Sequence, residues 1–250
     1  MKKLENKVVV ITGGNSGIGF GIAREFANEG AVGAIVGRNQ ETLDRSVAEL
    51  GDNFIAINAD VTSLADLENL YKVTSEKFGK IDVVVANAGA GTIGTVADLS
   101  EAGYDRTMDL NLKSVYFTVN KALPYINDGG SIILIGSNAA HRAYPSFGLY
   151  GAAKAAVIFF AKAFSNDLLG RKIRVNVITP GTTDTPAFEK FVPAEQMGAI
   201  KKHFAETMPI GRIGQPSDIG KTAVFLASGD SSFMLGAELL VDGGLTYLSK

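Results

Sequence analysis

Continuous runs of valine and isoleucine, separated by amphipathic stretches, constrain the fold of this chain more than any other feature. Val8-Val9-Val10-Ile11, residues 32–36, Phe54–Asn58, Val83-Val84-Val85, Ile132-Ile133-Leu134-Ile135, residues 172–178 and Leu239-Leu240-Val241 each read as a strand. A strand with one wet face alternates apolar and polar residues, whereas unbroken apolar runs belong to parallel strands covered on both faces. Helical spacing fills the intervals. Gly17–Asn28 carries Ile18, Ile22, Ala23 and Phe26 on one side, and 41–50 is a second helix. A third bears Leu64, Leu67, Leu70, Tyr71 and Phe78, with Thr62 or Ser63 as its cap. Residues 101–125 form a long helical region and 147–169 another. This alternation predicts an α/β fold, a Rossmann-like doubly wound parallel sheet of about seven strands with helices on both faces. Its ligand crevice lies at the carboxyl ends of the strands. With no linker, repeat or low-complexity tract, residues 1–250 are expected to form a single domain.

Composition removes several functional classes. Net charge is −2 and the charges are dispersed, so nothing points to nucleic acid or an anionic membrane surface. The longest uncharged stretches, such as 83–97, are broken by Gly, Asn and Thr, and none reaches the ~18 apolar residues of a membrane span. No apolar run long enough for a signal peptide precedes the glycine turn, so none is expected. The chain has no cysteine, which rules out disulfides and thiolate chemistry and fits a cytoplasmic location. His141 and His203 are far apart and lack ligand spacing, so no metal site is expected.

The turn Thr12-Gly13-Gly14-Asn15-Ser16-Gly17-Ile18-Gly19 follows the first strand and opens the first helix, the context a dinucleotide fingerprint requires. Gly13 permits the tight turn, Gly17 lets the backbone approach a pyrophosphate, and Gly19 lets the helix pack close to the sheet. Unpaired N–H groups at the helix start would meet the phosphate oxygens. A strand–helix turn with no ligand is the bland alternative. Downstream, Tyr150 and Lys154 are spaced i, i+4 and share one helical face. A free phenol has a pKa of about 10, and an adjacent ammonium is expected to lower it. A phenol so tuned can give a proton to a nascent alkoxide or take one back.

These elements resemble the short-chain dehydrogenase/reductase family, in its compact branch of about 250 residues. The likeness runs in order through nearly the whole chain. Asp60-Val61 resembles the pair that reads the adenine. Ala86-Asn87-Ala88-Gly89 resembles the family's Asn-Asn-Ala-Gly element, departing at Ala86. Asn111, Ser137, Tyr150 and Lys154 match the catalytic tetrad, and Pro180-Gly181-Thr182-Thr183-Asp184-Thr185 the segment at the nicotinamide end. The resemblance implies that Tyr150 is the general acid or base and that Lys154 holds the nicotinamide ribose. It implies that Ser137 donates to the substrate oxygen and that Asn111 positions a proton-relaying water. Cofactor contacts are then expected from Gly13, Asn15, Ser16, Gly17, Ile18, Gly19, Arg38, Asn39, Asp60, Val61, Asn87, Ala88, Gly89, Tyr150, Lys154, Pro180, Gly181, Thr183 and Thr185. Taken singly, Ser137 could cap a turn, Asn111 could be a helix-surface amide and Lys154 a solvated lysine.

NAD-preferring members usually carry an acidic residue where Gly37 stands. Arg38 follows it, and a guanidinium suits a 2′-phosphate, so NADP(H) is favoured over NAD(H). Alternatively, Arg38 only stacks on the adenine or faces solvent. By analogy 182–209 is a substrate lid, and Ala139, His141, Tyr144, Phe147 and Phe188 are candidate pocket residues. A surface hydrogen bond is the preferred reading of His141. The helix at 147–169 is apolar all round, which implies burial on more than one face; in this family the corresponding helices join subunits, so a homotetramer is expected. The leading expectation is an NADP(H)-dependent reductase of a small carbonyl, or dehydrogenase of an alcohol. A 3-oxoacyl-carrier-protein reductase is disfavoured by Asn127-Asp128-Gly129-Gly130, acidic where a basic grip on the carrier would help, although Arg171-Lys172 could serve elsewhere. A non-catalytic NADP sensor is disfavoured by the intact Tyr150, Lys154 and Ser137.

Overall fold

In β1 (Val8–Thr12) every residue is buried, because successive side chains point to opposite faces and both faces are covered. Val8 and Val10 enter one core cluster, while Val9 and Ile11 enter the other. The computed structural model describes residues 2–186 and 194–249. Its seven strands form one sheet in the order β3-β2-β1-β4-β5-β6-β7, parallel throughout. The others are β2 (Val32–Gly37), β3 (Phe54–Asn58), β4 (Ile81–Ala86), β5 (Ile126–Ile135), β6 (Arg174–Pro180) and β7 (Glu238–Val241).

The helices are α1 (Gly17–Asn28), α2 (Gln40–Leu50), α3 (Leu64–Phe78), α4 (Glu101–Met108), α5 (Ser114–Ala122), α6 (Gly148–Asp167), α7 (Met197–Thr207) and α8 (Pro216–Ala227). One core contains Leu67, Leu70 and Tyr71 of α3, Val115 and Val119 of α5 and Val157 and Ala161 of α6. The opposite core contains Ile22 and Phe26 of α1, Leu43 of α2 and Ile219 and Ala223 of α8. The chain winds outward from β1 to β3, then crosses to β4 on the other side. The carboxyl ends of β1 and β4 therefore flank the switch point where such sheets bind ligands.

Several boundaries depart from expectation for local reasons. The helical region at 101–125 is divided by a π-helical turn, Asp109–Lys113, that contains Asn111. β6 starts at Arg174 because Lys172 adopts a left-handed conformation (φ 55°) after a 3-10 turn. α8 escaped the hydrophobic pattern, yet its start is marked by Pro216 and a reciprocal Gln215/Asp218 capping box. Ser63, not Thr62, caps α3. Of the expected lid, 182–186 and 194–209 are described; Phe188, expected in the pocket, lies outside the described residues.

Candidate active site

A cleft of about 400 Å³ opens at the carboxyl ends of the central strands. Gly13, Ser16, Gly17, Ile18 and Gly19 line one end, and Asn87, Ala88, Gly89, Ala90 and Gly91 its middle. Ile135, Gly136, Ser137, Tyr150, Lys154, Pro180, Gly181, Thr185 and Pro186 line the other end. Gly13 has φ +63°, a conformation that disfavours side chains. A Cβ on Gly19 would stand 2.1 Å from the Gly13 carbonyl oxygen, so α1 starts against the turn only because residue 19 is glycine.

Thr12 and Asn87 join the two halves of the switch point. Thr12 Oγ1 accepts from the main-chain N–H groups of Asn87 (3.0 Å) and Ala88 (3.1 Å) and donates to the Val85 carbonyl (3.3 Å). Asn87 Nδ2 donates back to the carbonyls of Thr12 (2.8 Å) and Gly13 (3.2 Å). Thr12 was not singled out from the sequence. Its signal is a hydroxyl at the end of an apolar run, and it is 1% exposed. Ala90, Ile135, Gly136 and Pro186 were likewise missed, because contributions through backbone or apolar surface leave no chemical mark in a sequence.

Asn111 is fully buried and not a surface amide. Its Oδ1 accepts from the Ala90 N–H (3.1 Å), and its Nδ2 donates to the carbonyls of Ala90 (3.1 Å) and Thr107 (3.0 Å). Lys154 is 3% exposed and donates to the Ile135 carbonyl at 2.9 Å, so it is not a solvated lysine either. A Cβ on Gly89 would fall 2.9 Å from Asn111 Oδ1 and 3.4 Å from Lys154 Nζ, so these atoms meet around that glycine. Ser137, in extended conformation just past β5, both lines the cleft and caps the 3-10 turn Asn138–Ala140 by accepting from the Ala139 N–H at 3.2 Å.

The electrostatics of the pair correct one expectation. Burial pushes the Tyr150 phenol above its ordinary pKa, and the Ser137 hydroxyl opposes this only in part. Burial lowers Lys154 to about 8. The ammonium stands 5.8 Å from the Tyr150 ring centroid and donates to Ile135, so desolvation governs the phenol more than the cation does.

The adenine end is more open. Arg38 is 71% exposed at its side chain, with Nη1 3.7 Å from Asp60 Oδ2. Burial works against ionisation of Asp60, but hydrogen bonds from Thr62 and the nearby Arg38 outweigh it and hold its pKa below the usual value. Asn15 Nδ2 donates to Thr42 Oγ1 (2.6 Å), and its side chain fills the space over Gly37, where a Cβ would lie 2.4 Å from Asn15 Oδ1. The Asn39 side chain caps α2, its Oδ1 accepting from the Thr42 N–H (2.9 Å). Val61 is buried in the core, leaving its main chain for a ligand. Thr183 is buried and donates to the Gly181 carbonyl (3.1 Å).

The expected substrate pocket is only partly assembled. Phe147 meets Tyr150 edge-on (6.1 Å between centroids), and a Cβ on Gly91 would lie 3.2 Å from its ring. The Ala139 carbonyl packs on Gly151. Tyr144, expected in the pocket, does not line the cleft; neither does His141, which makes the hydrogen bond preferred for it. His141 pairs with Glu238 at 2.6 Å, and the Tyr144 hydroxyl accepts from Asn138 Nδ2 at 2.8 Å. The carrier-protein argument is also corrected. Asn127–Gly130 and Arg171-Lys172 lie at the amino ends of β5 and β6, away from the cleft, and Asp128 pairs with Arg171 (2.8 Å). Among the described residues no cluster of acidic or histidine side chains is suited to a metal ion, and no helix is long and apolar enough to cross a membrane.

The glycine cradle fits a nicotinamide dinucleotide: it is free of side chains where the phosphates would approach and ends at the start of α1. Comparison with known proteins agrees. A family model described as enoyl-(acyl carrier protein) reductase matches residues 13–246. An oxidoreductase from Sarocladium schorii, asL5, is 41% identical over 250 residues, spanning 99% of each chain. The structure of a short-chain dehydrogenase/reductase from Brucella melitensis, described as a glucose/ribitol dehydrogenase, superposes with a TM-score of 0.92 at 34% identity over 100% of both chains. A 3-ketoacyl-(acyl-carrier-protein) reductase of the same organism, complexed with NADH, superposes with a TM-score of 0.90 at 34% identity, covering 97% of this chain and 99% of that one.

Proposed function

Because the chain belongs to the short-chain dehydrogenase/reductase family, we propose that it is an NADP(H)-dependent oxidoreductase acting between a small ketone or aldehyde and its alcohol. The observation that carries this reading is the placement of Ser137, Tyr150 and Lys154 on one cleft that also contains the glycine turn. The nicotinamide, when bound, supplies or accepts the hydride.

The chain's own groups do the rest. Backbone N–H groups from the glycine turn to the start of α1 hold the pyrophosphate. Ser137 Oγ donates to the substrate oxygen, where negative charge grows in reduction. Burial keeps the proton on Tyr150 Oη, so the phenol is ready to hand it to the nascent alkoxide. Lys154 binds the nicotinamide ribose and, beside Asn111 around Gly89, opens a route by which that proton is replaced. Phe147 and Gly91 shape an apolar wall for the substrate. Arg38 selects the 2′-phosphate, its exposed guanidinium being tied only loosely to Asp60.

The family-model description and the likeness to a 3-ketoacyl-(acyl-carrier-protein) reductase favour one second reading, reduction of a carrier-bound 3-oxoacyl thioester. We further propose that residues 1–250 act as one domain with a lid at about 182–209, in a homotetramer, in the cytoplasm. An NADPH-oxidation screen over ketones, aldehydes, β-ketoesters and an acetoacetyl thioester separates the readings. Turnover of simple carbonyls is expected. Activity confined to the thioester would move the assignment to the second reading, and tight NADPH binding without any turnover would make the protein a sensor.

A further inference from the structure

Glu238, the first residue of the edge strand β7, receives two donors on a single oxygen. His141 Nε2 lies 2.6 Å from its Oε1, and Thr179 Oγ1 of β6 donates to the same atom at 2.5 Å. The arrangement assigns the Nε2 hydrogen to His141, since a carboxylate only accepts. The imidazole and carboxylate side chains are 25% and 23% exposed, so the contact is sheltered more than a surface pair. Thr179 is itself buried and abuts Gly136, where a Cβ would lie 2.8 Å from Thr179 Oγ1.

Ser137 through His141 form one short turn. The Gly136 N–H donates to the Ile178 carbonyl at its start (2.8 Å), and the Ala140 and His141 N–H groups donate to the carbonyls of Ser137 (2.9 Å) and Asn138 (3.0 Å). On one flank the Ala139 carbonyl rests on Gly151 of α6, the helix that carries Tyr150. On the other flank the side-chain tie to the sheet is His141 to Glu238, reinforced next door by Arg142 Nη1 donating to the Leu245 carbonyl (3.2 Å).

We propose that Glu238, with His141 and Thr179, is a positioning clasp: it fixes the turn bearing Ser137 so that the serine hydroxyl and the Tyr150 phenol present to one substrate oxygen. Neither Glu238 nor His141 lines the cleft, so the clasp acts through Ser137 and not on substrate. This inference rests on the oxidoreductase reading above for its catalytic consequence, but not for its structural one.

Glu238→Ala, His141→Ala, their double variant and Glu238→Gln test it by kinetics, NADPH binding and hydrogen exchange. A displacement of the serine by a fraction of an ångström is expected to lower kcat about ten-fold in each alanine variant. NADPH affinity stays unchanged, and the double variant is no worse than Glu238→Ala, which already removes the acceptor of both His141 and Thr179. Glu238→Gln, whose amide oxygen accepts from both donors, recovers most of the rate. In the coenzyme-free protein the Ala139 and Ala140 amides exchange faster in Glu238→Ala, whether or not any substrate has been found. Unchanged protection of those two amides, or additive losses in the double variant, would overturn the clasp. Absence of wild-type turnover with faster exchange in Glu238→Ala would instead overturn the oxidoreductase reading and leave the clasp standing.

Discussion

Lys154 lies one helical turn beyond Tyr150 on α6, yet its ammonium donates to the Ile135 carbonyl at 2.9 Å and stays 5.8 Å from the phenol ring centroid. The lysine is thus held by the end of β5, and the phenol keeps its oxygen free for Ser137 and for substrate. Replacing Tyr150 by Phe removes that proton without disturbing the glycine turn. A fall in kcat of roughly 10²–10⁴-fold is expected, with NADPH binding retained in a fluorescence titration. Near-normal rates in Tyr150→Phe would point to a different acid.

Burial of Lys154 carries a stability signature. Its pKa falls from 10.5 to about 8 in the folded chain, so the unfolded chain binds more protons between those values. The penalty for burying the ammonium is complete below pH 8 and is relieved as pH rises toward 10.5, a gain of up to about 3 kcal/mol. Lys154→Met should lack that gain. Urea unfolding of both proteins at pH 7 and pH 10 measures it, and parallel behaviour of the two would contradict the buried charge.

Arg38 is the cation proposed for the 2′-phosphate, and its competing partner Asp60 is 3.7 Å away. Arg38→Ala should therefore raise the NADPH dissociation constant by about ten-fold or more, the worth of a charge-assisted hydrogen bond, and change NADH little. Calorimetric titration of both nucleotides decides it; equal losses would remove the argument for NADP(H).

Thr12→Val keeps the shape of the side chain and deletes the acceptor that gathers the N–H groups of Asn87 and Ala88. Leaving those donors unpaired should cost about 1–3 kcal/mol, read by chemical denaturation, with weaker nucleotide binding because the same residues line the cleft.

Phe159 is 66% exposed on α6, and its neighbours Phe160 and Phe164 stack at 4.9 Å and pack edge-on against Tyr116. If this face joins subunits, Phe159→Glu should dissociate the proposed homotetramer in sedimentation velocity while leaving each chain folded. An unaltered sedimentation coefficient would place the subunit contact elsewhere.

The order of strands and helices was written locally. Val8 to Ile11 and Ile132 to Ile135 are apolar at every position, which only a doubly covered parallel strand accommodates. Gly13, Gly17 and Gly19 announce a backbone that something must approach, and all three line the cleft. Asn39 shows the limit of such reading. A polar residue after the second strand suits a nucleotide or a helix cap, and only the fold shows that its Oδ1 accepts from the Thr42 N–H.

Residue type and spacing alone therefore determined the sheet, the glycine turn and the helical pairing of Tyr150 with Lys154. These follow from backbone periodicity and from the space a side chain occupies, both properties of short segments. Tertiary structure decided what each polar group meets: Asn111 the backbone of Ala90, Thr12 the N–H groups of Asn87 and Ala88, and His141 a carboxylate 97 residues away. It also decided the direction of the Tyr150 pKa, because desolvation depends on everything packed around the phenol, and no local segment encodes that.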